Sequence, residues 1–436
     1  MEIKYWDQDI ETISRDRLEA LQLERLKKTV SQALKTDFYG GKLPERGIKS
    51  ADDLKSLDDL RNLPFTTKND LRESYPYGML AVDRSEVVRM HASSGTTGTP
   101  TTIYLTADDL AACTDITTRS VVATGAESGD VFQNMMTYGL FTGGIVLHYG
   151  AENLGMMVIP ASSGNTERQF RMMKDFQTSI IHATPSYMLY LHSRMADFGI
   201  DPAQLNLKKA YVGAEPHSED VRRKIERLWG IDVYNSYGLS EMNGPGLAFE
   251  CVHKDAMHVW EDAYIMEIIN PDTLEPLPDG EEGELVLTIL HRDAMPLIRY
   301  RTRDLTRIIP GQCACGRTHR RLARMKGRTD DMLIINGVNV FPSQIEEVIM
   351  RMPEVGTNYL IVVQKAGPLD KLIVKTEITR ESMTDDTRDL YNLKQRIVEH
   401  LRASITIKPV VELHEQGALP VSEGKAKRVL DEREEN

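Results

Sequence analysis

Cysteine is scarce in this chain. Four in 436 residues are too few for a disulfide scaffold. Basic charge is short as well: Lys and Arg number 53 against 65 Asp and Glu, a formal net charge of −12. That argues against a nucleic-acid binder, which would carry a basic face. It leaves anionic small molecules open, because local basic groups can override the net charge. Long apolar runs are missing. The most apolar stretches, such as residues 155–161, are far too short to span a bilayer, so no membrane role is expected. Residues 1–7 show no apolar segment of signal-peptide type, and the expected location is the cytoplasm. No internal repeat or low-complexity tract occurs. Hydrophobic content of 41% and charged content of 27% are those of an ordinary globular protein. The length predicts two or more domains.

What the chain does have is a concentration of hydroxyls and glycines at residues 93–101, Ser-Ser-Gly-Thr-Thr-Gly-Thr-Pro-Thr. Val87–Met90 and Ile103–Leu105 flank it, so it reads as strand, loop, strand. Glycines let the backbone bend toward a ligand. Free N–H groups with Ser93, Ser94, Thr96 and Thr97 can donate to phosphate oxygens. The alternative is a plain surface loop. No Lys follows Gly98, so this is not a Walker-type loop, nor is it the Gly-x-Gly-x-x-Gly of dinucleotide folds. A triphosphate site here needs cations from elsewhere. Two candidates are Glu241, ending the segment Tyr234–Glu241 and able to hold Mg²⁺, and Lys425 in Gly424-Lys425-Ala426-Lys427-Arg428.

The rest of the chain shows a layered pattern. Leu23, Leu26, Val30 and Leu34 predict an amphipathic helix over 14–35 with Ser14 as N-cap. Short apolar runs at 180–183, 210–212 and 233–234 alternate with helical patterns near 186–198 and 218–228, which predicts a mostly parallel sheet covered by helices. Residues 259–309 switch to alternating runs and turns, an antiparallel β section. A boundary falls near 326–331. After it, strands at 332–335, 359–363, 372–378 and 410–413, with helices at 342–352 and 387–403, make a small α+β domain. The fold class is therefore α/β: a large N-terminal domain, 1–328, and a small C-terminal one, 329–436.

Taken in order, these motifs resemble the adenylate-forming acyl-CoA ligases, and among them the phenylacetate–coenzyme A ligases, over nearly the whole chain. The resemblance implies ATP, Mg²⁺ and coenzyme A as cofactors. It implies activation of an arylacetate as acyl-adenylate, then thioester formation with release of AMP and pyrophosphate. Under it, Lys425 is the cation at the α-phosphate and Glu241 the metal and phosphate contact. Ser93, Ser94, Gly95, Thr96 and Thr97 form the phosphate loop. Gly213, Ala214, Glu215 and Pro216, with Asn235, Ser236 and Tyr237, line the adenine and α-phosphate. Asp304 accepts from the ribose hydroxyls, a task suited to a carboxylate, unless it is a strand-end ion pair with Arg301 or Arg303. Arg328 contacts ribose, and Asp330 is the hinge of a mobile C-terminal domain. Gly337 is implied in shaping the pantetheine channel, against a plain turn. An aryl pocket is expected around Tyr138 and Phe141, walled by Gly238, Gly244 and Pro245. Phenylacetate comes first as substrate, with indoleacetate, a hydroxyphenylacetate or benzoate as alternatives. A carrier-protein thiol as acceptor and a non-catalytic nucleotide sensor are the other readings. The N-terminal leucine stripe leaves open packing on its own domain or across a homodimer.

The cysteines outline a second site. Cys313 and Cys315, with Cys251 and His258, supply a tetrahedral set for structural Zn²⁺. His253 and His319 are alternates, and reduced thiols without an ion the plain reading. Cys113 stands alone as a core residue.

Overall fold

The structure, a computed structural model, describes residues 3–93, 99–367, 369–384, 386–420 and 426–433. It divides into two units. The first comprises Met1–Ser162, Ser179–His182 and Tyr234–Arg324, and the second Ser163–Thr178, Ala183–Val233 and Met325–Asn436. No helix among the described residues is long and apolar enough to cross a membrane.

In the first unit the leucine periodicity folds as the helix Arg15–Ala33. Its Leu26, Val30 and Ala33 are fully buried with Tyr39, Leu43 and Leu54 against Ile265, Leu290 and Ile298 of the β section. Ser14 takes the extended N-cap conformation, but its side chain makes no capping bond. Val131–Asn134 pairs in parallel with Met157–Ile159 and with the strand Ile180–Ala183, as expected from the β–α rhythm. Antiparallel pairings follow. Residues 236–239 pair with Gly244–Glu250, which pairs with Met257–Val259, and the ladder continues to Arg321–Leu322 and Ile308–Ile309. Tyr264–Ile269, Gly283–Ile289 and Tyr300–Thr306 form a further antiparallel run, matching the predicted β section.

Charge enters this core. Arg317 and Glu11 are both fully buried and meet at 2.6 Å. Glu261, also fully buried, is held by Arg15 at 3.0 Å and by Arg320 at 2.8 Å. Burial alone would raise its carboxyl, but Arg15 and Arg320 bring it down to about 2. Next to it Asp262 accepts from Arg119 at 2.6 Å and Arg25 at 3.1 Å.

The second unit holds the strand Lys209–Gly213 and the helices Pro185–Arg194 and Glu219–Trp229. Its C-terminal sheet has the order Val410–His414, Leu369–Ile378, Val355–Ala366, Val429–Asp431. The first and last of these lie parallel to their neighbours. Helices Pro342–Arg351 and Thr387–Ile405 match the predicted positions. The strand Val429–Asp431, beyond the last predicted element, is only three residues long. Leu333–Ile335 and Val338–Val340 form a hairpin whose two-residue loop, Asn336-Gly337, has φ of 49° and 83°. Both angles are positive, as a type I′ turn requires.

Polar groups tie the C-terminal segment to the helix Glu219–Trp229. Lys224 donates to the Val355 and Gly356 carbonyls at 3.0 Å each. Arg351 pairs with Asp220 at 2.7 Å. Glu346, buried, accepts from Tyr359 Oη at 2.9 Å and from the Ser218 N–H at 3.2 Å. Burial raises the Glu346 carboxyl to about 7; Tyr359 and Arg428 pull the other way, and Glu215 adds to the rise.

Two predictions follow from these interiors. Replacing Arg317 with Met strands the Glu11 carboxylate in the core. It should destabilise the first unit by about 3–5 kcal/mol, seen as a lowered melting temperature, and adding Glu11→Leu should restore most of the loss. For Glu346 the folded carboxyl lies above its unfolded value. The stability it contributes is complete below about pH 4.5 and is lost as pH rises through about 7. The melting-temperature difference between Glu346→Gln and the parent should therefore shift in favour of the variant from pH 5 to pH 8. A flat difference across that range would reject the assignment.

Candidate active site

The segment after Asn235 builds the centre of the site in the first unit. It runs along the strand Asp232–Leu239, bulges between Tyr237 and Gly238, and turns through Ser240–Met242. The Asn235 N–H donates to Glu250 Oε2 at 2.8 Å, and Glu250 in turn accepts from Arg324 at 2.8 Å. Tyr237 Oη donates to Asp304 Oδ2 at 2.6 Å, joining two of the sequence-predicted residues. Asp304 sits on the strand Tyr300–Thr306. Arg301 and Arg303, the alternative partners foreseen for it, turn to Glu284 instead, at 2.6 and 3.6 Å.

Glu241 follows in the turn and is only 4% exposed. Its Oε1 is buried and accepts no hydrogen bond, and Ser236 Oγ in the same segment is likewise buried without a partner. A buried carboxylate oxygen without a donor is a high-energy group. A divalent cation with oxygen ligands fits it. The backbone here is fixed from below. Arg292, fully buried, donates to the Glu241 carbonyl at 2.8 Å and to Asn243 Oδ1 at 3.0 Å.

Two glycines make this geometry compulsory. A Cβ on Gly238 would lie 1.9 Å from the Gly244 carbonyl oxygen. Gly244 has φ +90°, and a Cβ there would lie 2.6 Å from Thr142 Oγ1. The 238–245 turn is thereby pressed against the loop that carries Tyr138 and Phe141. Thr142 Oγ1 and Ser240 Oγ, 3.2 Å apart, bridge the two. Tyr138 is held by a chain of polar groups. Asn134 Nδ2 donates to its oxygen at 2.9 Å, His148 Nδ1 is 2.9 Å away, and His148 Nε2 meets Glu152 at 2.8 Å. Burial raises the Tyr138 phenol to about 12. Phe141 is 42% exposed and Pro245 half-buried.

In the second unit the turn 213–216 ends the strand Lys209–Gly213. Ala214, not a glycine, takes the left-handed conformation at φ 67°. Glu215 accepts from the Ser186 N–H at 2.6 Å and the Ala426 N–H at 3.2 Å. Glu215 and Pro216 line a cavity of about 490 Å³ with Asp330, Glu346 and Arg428. Arg328 and Asp330 form a bidentate pair, 2.8 Å at both contacts. Ser93 lies at the end of the strand Arg89–Ser93, its Oγ against Thr101 Oγ1. Ser94, Gly95, Thr96, Thr97 and Lys425 lie outside the described residues.

The four predicted metal ligands converge in the first unit. The donor atoms of Cys251, His258, Cys313 and Cys315 all lie within 4.8 Å of one another, and all four residues are buried. Cys251 and Cys313 sulfurs are 3.6 Å apart, and Cys315 Sγ is 3.3 Å from His258 Nε2. Zn–S bonds of about 2.3 Å in a tetrahedron give sulfur–sulfur edges of about 3.8 Å, so the set is close to the required size. His258 Nδ1 lies 3.1 Å from the His319 carbonyl, which presents Nε2 to the sulfurs. His319, the alternate ligand, is engaged elsewhere. Its Nδ1 accepts from the Glu261 N–H at 2.8 Å, and Nε2 is 2.9 Å from the Ile10 carbonyl.

Sequence reasoning missed two participants. Arg292 lies in a run without motif character, and only the fold brings it beneath Glu241. Lys68, in Phe65-Thr66-Thr67-Lys68, comes within 3.5 Å of Glu241 Oε1. Its signal was the capping pattern Thr67-x-x-Asp70, which marks a helix start but not a site.

Residues 18–288 match the AMP-binding enzyme family, and residues 337–433 match the AMP-binding enzyme C-terminal domain. The phenylacetate–coenzyme A ligase of Aromatoleum evansii is 47% identical over 97% of this chain and 96% of its own. That of Thermus thermophilus is 44% identical over 97% and 98%. Among solved structures, a 2-hydroxyisobutyryl-CoA ligase in the postadenylation state with 2-HIB-AMP superposes with a TM-score of 0.93 at 27% identity, covering 99% of this chain and 93% of that one. With the predicted motifs present in order and relatives this similar over almost their full length, the chain belongs to the AMP-binding, adenylate-forming enzymes, within the phenylacetate–coenzyme A ligase family.

Proposed function

We propose that this chain is an ATP-dependent ligase that activates phenylacetate and transfers the acyl group to coenzyme A. The observation that carries the reading is the Glu241 carboxylate, buried and with an undonated oxygen, one turn beyond a Tyr237–Asp304 hydrogen bond. The similarity of the curated relatives over 97% of the chain supports it.

In the first step a carboxylate oxygen of the acid attacks the α-phosphorus of ATP, and pyrophosphate leaves. In the second the thiol sulfur of coenzyme A attacks the acyl carbonyl, and AMP leaves. Neither step needs a covalent enzyme nucleophile. Asp304, which accepts from Tyr237, would accept from both ribose hydroxyls; Arg301 and Arg303 pair with Glu284. Asn235, Ser236 and the 213–216 turn take the adenine and α-phosphate. Glu241 would hold Mg²⁺, which supplies charge neutralisation to the phosphate oxygens when bound. Lys425 serves the α-phosphate in the first step only. The 93–97 loop cradles the phosphates. Residues 1–328 and 329–436 act as two domains, with Asp330 as the hinge and its pairing to Arg328 broken on rotation. The ring of Tyr138, with Phe141, Gly238, Gly244 and Pro245, forms the aryl pocket.

We infer further that Cys251, His258, Cys313 and Cys315 hold a structural zinc. Three thiols and an imidazole packed this closely compete for protons. Hydrogen bonding to Cys313 and Cys315 raises the Cys251 thiol, whereas its bond with Cys251 lowers that of Cys315. One Zn²⁺ resolves that conflict by replacing the protons. With four protein ligands it leaves no position for substrate.

Release of AMP should require phenylacetate and coenzyme A together in a panel of aryl and aliphatic acids, with phenylacetyl-CoA as the coproduct. Adenylate without thioester would point to a carrier-protein acceptor, and silence across the panel to a sensor. Lys425→Ala should lower adenylation by about 10²–10³-fold yet still convert supplied phenylacetyl-adenylate to thioester. Elemental analysis of the purified protein should find one zinc per chain. Cys315→Ser should lose it and melt at lower temperature, while metal-free parent protein of unchanged stability would refute the zinc clip.

A further inference from the structure

One imidazole joins two stretches of the first unit that the reaction needs side by side. His91 stands on the strand Arg89–Ser93, which pairs with Thr101–Leu105 and leads into the loop 93–101. The same strand lies beside the turn Ser240–Met242 that carries Glu241. His91 is only 3% exposed. Its Nδ1 is 3.1 Å from the Leu140 carbonyl oxygen, and the next residue, Ala92, donates its N–H to the same oxygen at 2.9 Å. Leu140 lies between Tyr138 and Phe141, in a stretch that belongs to no helix or strand. The side chains of Leu140 and Phe141 are both exposed, so apolar packing does little to hold this loop in place.

A carbonyl oxygen only accepts. The proton of the His91–Leu140 contact therefore sits on Nδ1, and that fixes the tautomer. Burial holds the imidazole below its ordinary value; the Leu140 bond opposes this and Arg89 adds to it. The ring is thus neutral, and Nε2 carries a lone pair. Nε2 is buried with no hydrogen-bond partner among the described residues. A buried polar atom left idle is costly, and an apolar side chain of similar shape would fill the space without that cost. What the ring contributes is the Nδ1–H bond, a second donor on one carbonyl.

We propose that His91 is a positioning residue for the adenylation step: its Nδ1–H clamps the Leu140 carbonyl to the phosphate-loop strand and so fixes the acyl loop 138–141 against the α-phosphate site. His91 acts through Leu140, not on the substrates. The chemistry gives the clamp its importance. A carboxylate oxygen attacking phosphorus has to be held about 3–3.5 Å away and in line, and a displacement of about 1 Å can cost about 10²-fold in rate. A single residue linking the two loops sets that distance. This inference rests on the reading of 138–141 as the acyl side and of 93–101 as the phosphate side.

Three variants of the full chain separate the clamp from the ring. His91→Asn keeps an N–H near the Nδ1 position. His91→Gln carries its amide out toward Nε2 and loses that donor, and His91→Ala has neither. In phenylacetate-dependent ATP–pyrophosphate exchange, His91→Gln and His91→Ala should lower kcat by about 10- to 100-fold and raise the phenylacetate KM by about 5- to 10-fold, with the ATP KM changed less than about twofold. His91→Asn should stay within about threefold of the parent. Equal damage in His91→Asn and His91→Gln, or both KM values rising together with a lowered melting temperature, would mark His91 as structural and overturn the proposal. Activity kept in His91→Gln and lost in His91→Asn would place the role on Nε2 and overturn it as well. Phe141→Ala tests the underlying reading separately. An unchanged phenylacetate KM there, beside the contrast between His91→Asn and His91→Gln, would sustain the clamp and reject the loop as the acyl pocket. Should the variants not fold, nitrogen NMR of the parent enzyme with labelled histidine decides. At about pH 7.5 His91 should be the neutral Nδ1–H tautomer, and an Nε2–H tautomer would overturn the clamp.

Discussion

The first unit depends on desolvated charge. Glu11, Glu261 and Asp262 are removed from water and held by Arg317, Arg15, Arg320, Arg119 and Arg25. Such pairs seldom add net stability over an apolar core of the same shape, but each tolerates only one arrangement. Here they fix four distant stretches of chain in register. The N-terminal helices, the helix Ala107–Ala123, the segment after Met257–Val259 and the loop after Cys315 meet at these contacts. The strand that ends at Val259 also carries His258, so the same ion pairs place the imidazole opposite the thiols. Tyr5 Oη donates to the Cys315 carbonyl at 2.7 Å and ties the N-terminus to the cysteine loop from the other side.

The segment 234–241 and the turn 213–216 stood out because the chemistry expected of them is local in sequence. Tyr237 to Glu241 is one strand end and turn, and the 213–216 turn another. A short motif fixes both the residue types and their spacing. Alternation also told the antiparallel section from the parallel one, since period-two burial differs from short, fully buried runs such as residues 180–183. The convergence of Cys251, His258, Cys313 and Cys315 was legible for another reason. Cysteine is rare enough here that a close pair with a distant third stands out.

What sequence could not supply was long-range juxtaposition. Arg292 and Lys68 look ordinary in their own segments, and each acquires meaning only from Glu241, 51 and 173 positions away. Glu346 stands in no motif. The fold buries it beside Ser218 and Tyr359, and burial, the largest cause, raises its carboxyl to about 7. Nor did the pattern reveal that Glu215 also accepts two backbone N–H groups, so that a residue marked for ligand contact also holds the chain together. These are tertiary effects, and residue periodicity carries no information about them.

The crowding at Gly238 and Gly244 bears on how this family can diversify. Each glycine excludes any side chain because its own backbone neighbour or Thr142 already occupies the space. That turn cannot accept a side chain at either position without moving its neighbours. In the proposed aryl pocket, adaptation to a bulkier or more polar acid has to travel through the neighbouring loop that carries Tyr138 and Phe141. There Phe141 is partly exposed, and polar side chains hold the Tyr138 oxygen. In the proposed pocket, substrate range should therefore drift at the loop 138–141 while the turn 238–245 stays frozen by steric necessity.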